Sequence, residues 1–311
     1  MPARQGPPGR KHDKARHDVD KRQHFRIADF GIHLVCCSLD AAAECLLPSF
    51  AAFTHQEPMG EPLFTLTVND KQEPARRRTL VRRFDTGNGD TSVYTTPHGG
   101  YEYIIRDTKG RDCCLMAANS DFTECSCALN GTTSMRSFGL NNAMMMAFAF
   151  AASRKDALLI HASCVLHDGR AYPFIAKSGT GKSTHTSLWM RHIPDTELLN
   201  DDNPVIRIID GKPFAYGSPW SGKTPCYRDT KATLGAVTRI ERAETNTIER
   251  LRGAQAFAAL LPACSSMKWD KDIYGNTCDT VARVIETTPI FTLHCLPDAE
   301  AALLCHKTIT T

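Results

Sequence analysis

Two segments of the sequence have the spacing of a phosphate-binding loop, in which glycines, a lysine and a hydroxyl surround a phosphate. Residues 176–183 read AKSGTGKS, and residues 217–224 read GSPWSGKT. In such a loop successive backbone N–H groups point at the anion, the lysine neutralises it, and the Ser or Thr hydroxyl binds magnesium. Only the second segment matches the strict pattern G-x-x-x-x-G-K-[ST], because the first opens with alanine.

The surrounding sequence nevertheless favours the first segment. A phosphate loop needs a strand before it and the N-terminus of a helix after it. A predicted strand ends at Ala176, and residues 184–191 (THTSLWMR) can continue as a helix. In the second segment Pro219 removes an N–H donor, Trp220 adds bulk, and Pro225 follows directly. We therefore predict the nucleotide site in the first segment, and a structured loop near the same pocket in the second.

The residues of the first loop have distinct expected roles. Lys182 is predicted to contact the β- and γ-phosphates of ATP, and the Ser183 hydroxyl to bind Mg²⁺. The predicted nucleotide-binding set is Ser178, Gly179, Thr180, Gly181, Lys182, Ser183 and Thr184. The simpler alternative is a turn that merely precedes a helix, and the flanking strand and helix weigh against it.

Two adjacent carboxylates follow the loop. Asp201 lies 18 residues after Ser183, and Asp202 comes next, at the end of a predicted strand. Such a pair can divide the chemistry, one carboxylate holding the metal and the other accepting a proton from an incoming hydroxyl. The sequence Asp-Asp-Asn-Pro at residues 201–204 is by itself typical of a turn. Its combination with the phosphate loop favours the catalytic interpretation.

Three segments together resemble the HPr kinase/phosphorylase family and, more distantly, the nucleotide site of phosphoenolpyruvate carboxykinase. They are residues 160–163 (IHAS), 178–184 (SGTGKST) and 200–202 (NDD), in the family's order. The resemblance covers about residues 138–300. Kinases of this family transfer the γ-phosphate of ATP to a serine hydroxyl of a small protein, and relatives modify peptides or small molecules. The resemblance thus implies an ATP- and Mg²⁺-dependent phosphotransferase.

The same resemblance implies residue roles. Asp201 corresponds to the general base, Asp202 to the metal-associated carboxylate, and His161 to a histidine near the transferred phosphate. The division between the two aspartates stays open, because either could take either role. From its apolar surroundings alone, His161 is more typical of a buried structural histidine.

The sequence also departs from the family pattern. HPr kinases carry a glycine-rich, Glu- and Arg-containing signature after the kinase core, and residues 216–224 (YGSPWSGKT) stand in its place. The resemblance therefore implies neither phosphorylase activity nor HPr as the acceptor. Lys223 in this segment could contact the acceptor or the leaving phosphate, or it could be a surface lysine.

The elements that must position these residues divide the chain into three parts. Residues 1–24 are predicted to be a disordered basic tail, and residues 25–137 a β-rich region, with alternating apolar residues at 64–68 and 101–105. Residues 138–311 are predicted to form an α/β P-loop kinase core like the C-terminal domain of HPr kinases. Its expected elements are a buried helix capped by Asn141, strands at 157–166, 172–176, 205–209, 234–240 and 291–296, and helices at 253–261 and 298–305.

Charge and composition exclude several classes of protein. The tail holds seven basic and three acidic residues, which leaves the other 287 residues with 30 basic and 31 acidic ones. A nearly neutral remainder argues against a dedicated nucleic-acid-binding domain. The longest apolar run has ten residues, 143–152, too few to span a bilayer. Without an apolar leader, the thirteen cysteines are interpreted as reduced, mostly buried thiols of a cytoplasmic protein.

The sequence leaves two functional hypotheses. The first is a kinase that transfers phosphate to a hydroxyl, most simply a serine of a protein or peptide, with the β-rich region helping to present the acceptor. The second is a nucleotide-dependent module that recruits a partner without phosphate transfer. A weaker idea is that the basic tail binds RNA or an anionic membrane. Five arginines at 76–78, 82 and 83 form either a solvated edge or a site for an acidic partner. The acceptor stays unidentified, and a homo-oligomer is compatible with the resemblance.

Overall fold

A computed structural model of the chain describes residues 21–37, 46–85 and 89–311. Most of the predicted basic tail, residues 1–20, lies outside the described residues. Its predicted end at residue 24 is corrected, because Lys21–Ile27 forms a strand that pairs in register with Phe30–Cys36. Residues 21–24 are exposed or half-buried in this strand, so their polar side chains do not prevent pairing.

The first half of the chain forms a mixed nine-stranded sheet, in the order β3-β1-β2-β4-β9-β8-β7-β6-β5. The pairs β2–β4 and β4–β9 are parallel, and the other pairs are antiparallel. Its strands are β1 (Lys21–Ile27), β2 (Phe30–Cys36), β3 (Thr54–His55), β4 (Phe64–Val68), β5 (Thr79–Asp85), β6 (Asp90–Thr95), β7 (Tyr101–Arg106), β8 (Asp112–Ala118) and β9 (Glu124–Leu129). A 3₁₀ helix, Pro48–Phe53, precedes β3.

Helix α1 (Thr133–Ala152) packs against this sheet and shares its core. The predicted start at Asn141 is wrong, because the helix begins eight residues earlier, where the Thr132 hydroxyl accepts a hydrogen bond from the N–H of Met135. The predicted domain boundary between residues 137 and 138 therefore falls inside α1. Gly139 permits the helix to approach β8 closely, since a Cβ there would lie 2.8 Å from the Cys113 carbonyl oxygen.

The arginine cluster lies at the free edge of the first sheet. Arg82 and Arg83 belong to the edge strand β5 and are exposed. This agrees with the solvated edge, which was one of the two alternatives predicted for the cluster. Arg78 instead folds back, pairing with Glu102 at 3.1 Å and lying over the ring of Tyr94. Charge on an edge strand disfavours sheet-to-sheet association.

The second half forms a ten-stranded mixed sheet with four helices. The main order is β10-β14-β15-β16-β12-β17-β19-β18, with β11 joining β12 to β13. The strands are β10 (Ala157–Leu159), β11 (Ala162–His167), β12 (Arg170–Ile175), β13 (Glu197–Asp202), β14 (Val205–Ile209), β15 (Lys212–Tyr216), β16 (Lys231–Leu234), β17 (Val237–Arg242), β18 (Thr247–Leu251) and β19 (Ile290–Cys295). The helices are α2 (Lys182–His192), α3 (Gly253–Leu260), α4 (Lys271–Thr287) and α5 (Ala299–Ile309), with 3₁₀ turns at Ser153–Lys155 and Leu261–Ala263.

Two predicted strands are interrupted in the structure. The strand predicted at 157–166 breaks at His161, whose N–H bonds the Ala263 carbonyl instead of a strand neighbour. The strand predicted at 234–240 breaks at Gly235, where a Cβ would lie 2.5 Å from the Tyr172 ring. Helix α4 was not predicted at all, although its buried residues recur at helical spacing and Asp270 caps it through two N–H groups.

The two halves share one continuous core. Trp220, from the segment 217–224, packs between Phe50 and Phe148 of the first half, with ring centroids 5.8 and 5.2 Å away. The β1–β2 turn also reaches the second half, where the Asp29 carboxylate accepts hydrogen bonds from Tyr216 and Lys231. The β-rich region is therefore packed directly onto the half that carries the phosphate loop.

Two further findings concern the described part of the chain. None of its helices combines the length and the apolar character that crossing a bilayer requires. The cysteines described there are free thiols and mostly buried. Burial raises the pKa of thiols such as Cys264, to about 12, which disfavours the reactive thiolate.

A pair of glycine variants tests the close approach of α1 to the first sheet. Gly139→Ala should lower the free energy of unfolding by about 1 kcal/mol or more, because the new methyl group clashes with β8. Gly275→Ala, inside α4 with no atom within 4 Å of its Cβ position, should raise it by about 0.5–1 kcal/mol through helix propensity. Urea unfolding measures both. Changes of the same sign would contradict this packing.

A buried histidine on α2 predicts a pH-dependent stability. Burial lowers the pKa of His185 to about 4, and its Nε2 accepts a hydrogen bond from the Trp189 indole, which requires the neutral ring. The unfolded chain binds this proton near the ordinary pKa of about 6.5, so stability is complete above that value and is lost as pH falls toward 4. Between pH 7.5 and 5.0 His185 should account for a loss of about 2 kcal/mol.

Urea unfolding at the two pH values, with variants, isolates this contribution. His185→Gln removes the titrating ring and should flatten the loss. His192→Gln, an exposed histidine on the same helix, should leave it unchanged. Equal pH dependence in the wild-type protein and both variants would show that His185 does not titrate as described.

Candidate functional site

The glycine-rich segment connects β12 directly to α2. Ile175 ends the strand, Lys182 opens the helix, and Gly179 and Gly181 have φ angles of 77° and 129°. Non-glycine residues rarely adopt these angles, so the conformation explains why the loop needs both glycines. A Cβ at either position would meet no atom within 4 Å, so the loop surface there is open. The first N–H groups of α2 have no intrahelical acceptor and face this end.

Arg242, the last residue of β17, holds the outer side of the loop. Its guanidinium donates to the carbonyl oxygens of Gly179 at 2.6 Å and Thr180 at 3.0 Å. The C=O and N–H of a trans peptide point in opposite directions, so fixing the Thr180 carbonyl outward turns the Gly181 N–H toward the other side. Arg242 therefore helps to present donors of the loop to an anion.

Lys182 lies beside His161, as the predicted site requires. The Lys182 Nζ is 2.8 Å from the Nε2 of His161, and the Asp202 Oδ1 is 3.3 Å from that same nitrogen. A ring nitrogen either accepts or donates, so only one of these contacts is a hydrogen bond at a time. Burial, and next the positive charge of Lys182, lower the pKa of His161, which favours a neutral ring accepting from the lysine. Burial also lowers the pKa of Lys182, against the opposing effect of both aspartates.

Asp201 is a buried carboxylate with partners on both oxygens. Its side chain accepts from the Ser183 hydroxyl at 2.7 Å and from the Thr224 N–H at 3.2 Å, and the residue is only 3% exposed. The pairing of β11 with β13 sets this position, because Ser163 lies opposite Asp201 and Ala162 opposite Asp202. The same register brings His161, just before β11, next to Asp202.

Asp202 has a more open environment than its neighbour. Its side chain is 36% exposed, and Oδ2 accepts from the Asn203 amide at 2.7 Å. Burial raises the pKa of Asp202, while the charges of His161 and Lys182 oppose that effect. A carboxylate with a raised pKa and partial access to solvent is suited to take up a proton.

The second segment, residues 217–224, contacts the carboxylate pair from another side. Gly222 donates its N–H to the Asp201 carbonyl oxygen, and Ser221 forms an isolated bridge with Asp202. A Cβ at Gly222 would lie 2.6 Å from the Asp201 carbonyl oxygen, so the glycine allows the segment to pack closely against Asp201. Lys223 is exposed between these contacts and has no ion pair among the described residues. The segment is a structured loop, as predicted, and it contacts the two aspartates.

The side chain of Asn200 holds the backbone around the two aspartates in place. Its side-chain oxygen accepts from the N–H groups of Asp202 and Asn203, and its amide donates to oxygens of Ser218 and Trp220. It is fully buried. The segment NDD was identified by sequence, but this positioning role of Asn200 was not.

A cleft of about 580 Å³ opens beside the phosphate loop. Gly179, Thr180, Gly181 and Thr184 form its polar side. The remaining wall is largely apolar and comes from α2 and from the ends of β17 and β19, with Leu188, Ile240, Ala243, Cys295, Leu296 and Pro297. Sequence reasoning missed Arg242 and this wall. The strand order could have identified them. Strands β12, β17 and β19 run parallel, so their carboxyl ends lie at the same edge of the sheet as the loop that follows β12.

Comparisons with known proteins identify no family for this chain. No family model matches it, and no curated protein matches it. Among solved structures, the HPr(Ser) kinase/phosphatase from Coxiella burnetii aligns with 9% sequence identity and a TM-score of 0.29. The alignment covers 48% of this chain and 91% of that structure.

Proposed function

We propose that this protein is an ATP- and Mg²⁺-dependent kinase that transfers the γ-phosphate to a hydroxyl group, most simply a serine of a protein or peptide. The observation that carries the proposal is the contact between the Ser183 hydroxyl and the buried Asp201, directly after a glycine-rich loop that presents Lys182. This arrangement joins a phosphate-binding loop to a metal-binding oxygen pair. The P-loop kinase core expected from the sequence is part of the same proposal.

The residues fit a nucleotide. The apolar cleft wall suits a flat base, and the open loop with Lys182 suits a polyphosphate. Ser183 and Asp201 offer hydroxyl and carboxylate oxygens, which Mg²⁺ prefers. Among the described residues no group of three or more His, Cys, Asp or Glu forms a metal site, so a magnesium ion here would depend on phosphate oxygens of the nucleotide. Bound there, it would supply charge neutralisation on the phosphates.

The geometry favours a division of labour opposite to the one implied by the family resemblance. Asp201 is buried, accepts two hydrogen bonds and contacts Ser183, so we assign it to the metal side. Asp202 is half-exposed with a raised pKa, so we infer that it accepts the proton of the incoming hydroxyl. His161, with a neutral ring whose Nε2 accepts a hydrogen bond from Lys182, orients that lysine beside Asp202.

The acceptor would approach between Asp202 and the segment 217–224. Lys223 is exposed on that segment, next to the backbone groups that contact Asp201. We infer that it contacts an acceptor and does not bind the nucleotide phosphates. Nucleotide binding and phosphate transfer can be measured separately. A kinase does both, whereas a module that only recruits a partner binds nucleotide without transferring phosphate.

Lysine variants test which loop binds the nucleotide. Lys182→Ala should weaken binding of a fluorescent ATP analogue with Mg²⁺ at least about tenfold and reduce phosphate transfer about 100-fold or more, because the charge facing the phosphates is lost. Lys223→Ala, the lysine of the segment that matches the strict pattern, should leave nucleotide affinity unchanged. Fluorescence titration measures binding, and transfer of ³²P from labelled ATP to a serine-containing peptide library measures activity.

The same assay separates the alternatives. Label in a serine-containing acceptor supports the kinase. Tight nucleotide binding without label in any acceptor would favour the recruiting module, and nucleotide affinity lost in the Lys223 variant but retained in the Lys182 variant would overturn the choice of loop.

A pH profile tests the assignment of Asp202 as the base. Transfer should fall on acidification through a pKa above the ordinary aspartate value of 3.8, because protonated Asp202 cannot accept the hydroxyl proton. Asp202→Asn should abolish transfer and keep nucleotide binding. Asp210→Asn, in the turn between β14 and β15, is the matched control and should retain the wild-type profile. Full activity of Asp202→Asn would show that another group accepts the hydroxyl proton.

A further inference from the structure

A second cavity, of about 350 Å³, lies between α1, the first sheet and residues 265–269. It shares no lining residue with the cleft beside the phosphate loop. Its volume falls within the range of about 300–1,000 Å³ that small-molecule sites occupy. The cavity is therefore large enough for a ligand that the nucleotide site does not involve.

The cavity walls are mainly apolar. Met145 and Met146 of α1 line it and are only half-buried, although Met144 beside them is completely buried. These two methionines leave a gap that is bounded also by Phe84 and Trp269. Methionine side chains are flexible and polarisable, so they adapt to an apolar ligand.

The charges around the cavity are all positive. Arg82 on β5 and Lys268 line it, and none of the lining residues is acidic. Neither cation pairs with a carboxylate within residues 21–37, 46–85 and 89–311, whereas Arg78 and Arg106 of the same sheet both do. Unpaired cations beside an apolar cavity favour a ligand that carries an anionic end.

Neutral donors accompany these cations. The hydroxyls of Ser265 and Ser266 line the cavity and make no side-chain hydrogen bond to another described residue. The indole N–H of Trp269 is buried without an acceptor in the part of the chain that the structure describes. The two serine hydroxyls are therefore available to hydrogen-bond a polar group of a ligand.

We propose that this cavity binds an amphipathic carboxylate, with its hydrocarbon or aromatic body against the methionines and its carboxylate toward Arg82 and Lys268. The apolar walls select the body, and the two cations with the neighbouring hydroxyls select the negative end. A neutral or cationic molecule of equal size could contact the apolar walls but would not pair with the two cations.

Isothermal titration calorimetry of the full chain tests the proposal, with decanoate as the probe below its micelle concentration. Decanoate should bind saturably with one site per chain, decan-1-ol at least tenfold more weakly, and decyltrimethylammonium without measurable heat. The double variant Arg82→Gln/Lys268→Gln should weaken decanoate binding at least tenfold. Met146→Trp should fill the cavity and abolish the binding of decanoate and decan-1-ol alike.

Arg83→Gln is the matched control, since Arg83 follows Arg82 on β5, points to the other face of the strand and does not line the cavity. It should bind decanoate like the wild-type protein, and circular dichroism confirms that each variant is folded. Equal affinity for the three probes or no saturable decanoate binding would overturn the proposal. An equal loss of decanoate affinity in Arg82→Gln/Lys268→Gln and in Arg83→Gln would also overturn it. These measurements use no nucleotide, so their outcome is independent of the kinase assays.

Discussion

The buried carboxylate of Asp201 is the contact on which the site depends. A charge taken out of water needs compensating hydrogen bonds, and Asp201 receives one from the first turn of α2 and one from the segment 217–224. The carbonyl of the same residue accepts a third, from Gly222. One residue at the end of β13 thereby joins the phosphate loop, the carboxylate strand and the closing segment into a single arrangement.

The closing segment is held from its other side by the first half of the chain. Trp220 is buried among Phe50 and Phe148, four residues before Thr224 donates to Asp201. The first half of the chain, through its 3₁₀ helix and α1, thus supports the site by packing, without contributing a side chain to the predicted chemistry. The backbone of that segment is therefore held by the core on one side and by Asp201 on the other.

Electrostatics within the site rest on His161, Lys182 and Asp202 together. The three groups meet at one ring nitrogen, so the protonation of each depends on the other two. Burial lowers the pKa of His161 and Lys182 and raises the pKa of Asp202, and every one of these shifts disfavours the charged form. An anionic phosphate entering this site would favour the charged lysine, which is the direction that nucleotide binding requires.

The sequence by itself determined the local features. The strand, the paired glycines and the following helix depend on backbone preferences that neighbouring residues specify, and the proline and tryptophan that disqualify the second segment act locally too. The alternation of β4 and β7 likewise predicted their buried faces. Those preferences are encoded within a few residues, so no knowledge of distant contacts was needed.

Only the tertiary structure decided how those features meet. The breaks at His161 and Gly235 come from close contacts with elements distant in sequence. The register of β11 against β13 buries Asp201 and leaves Asp202 half-exposed, although the two are adjacent and chemically identical. Burial and partner choice depend on which chain segments pack together, and that long-range information gives each carboxylate a different environment.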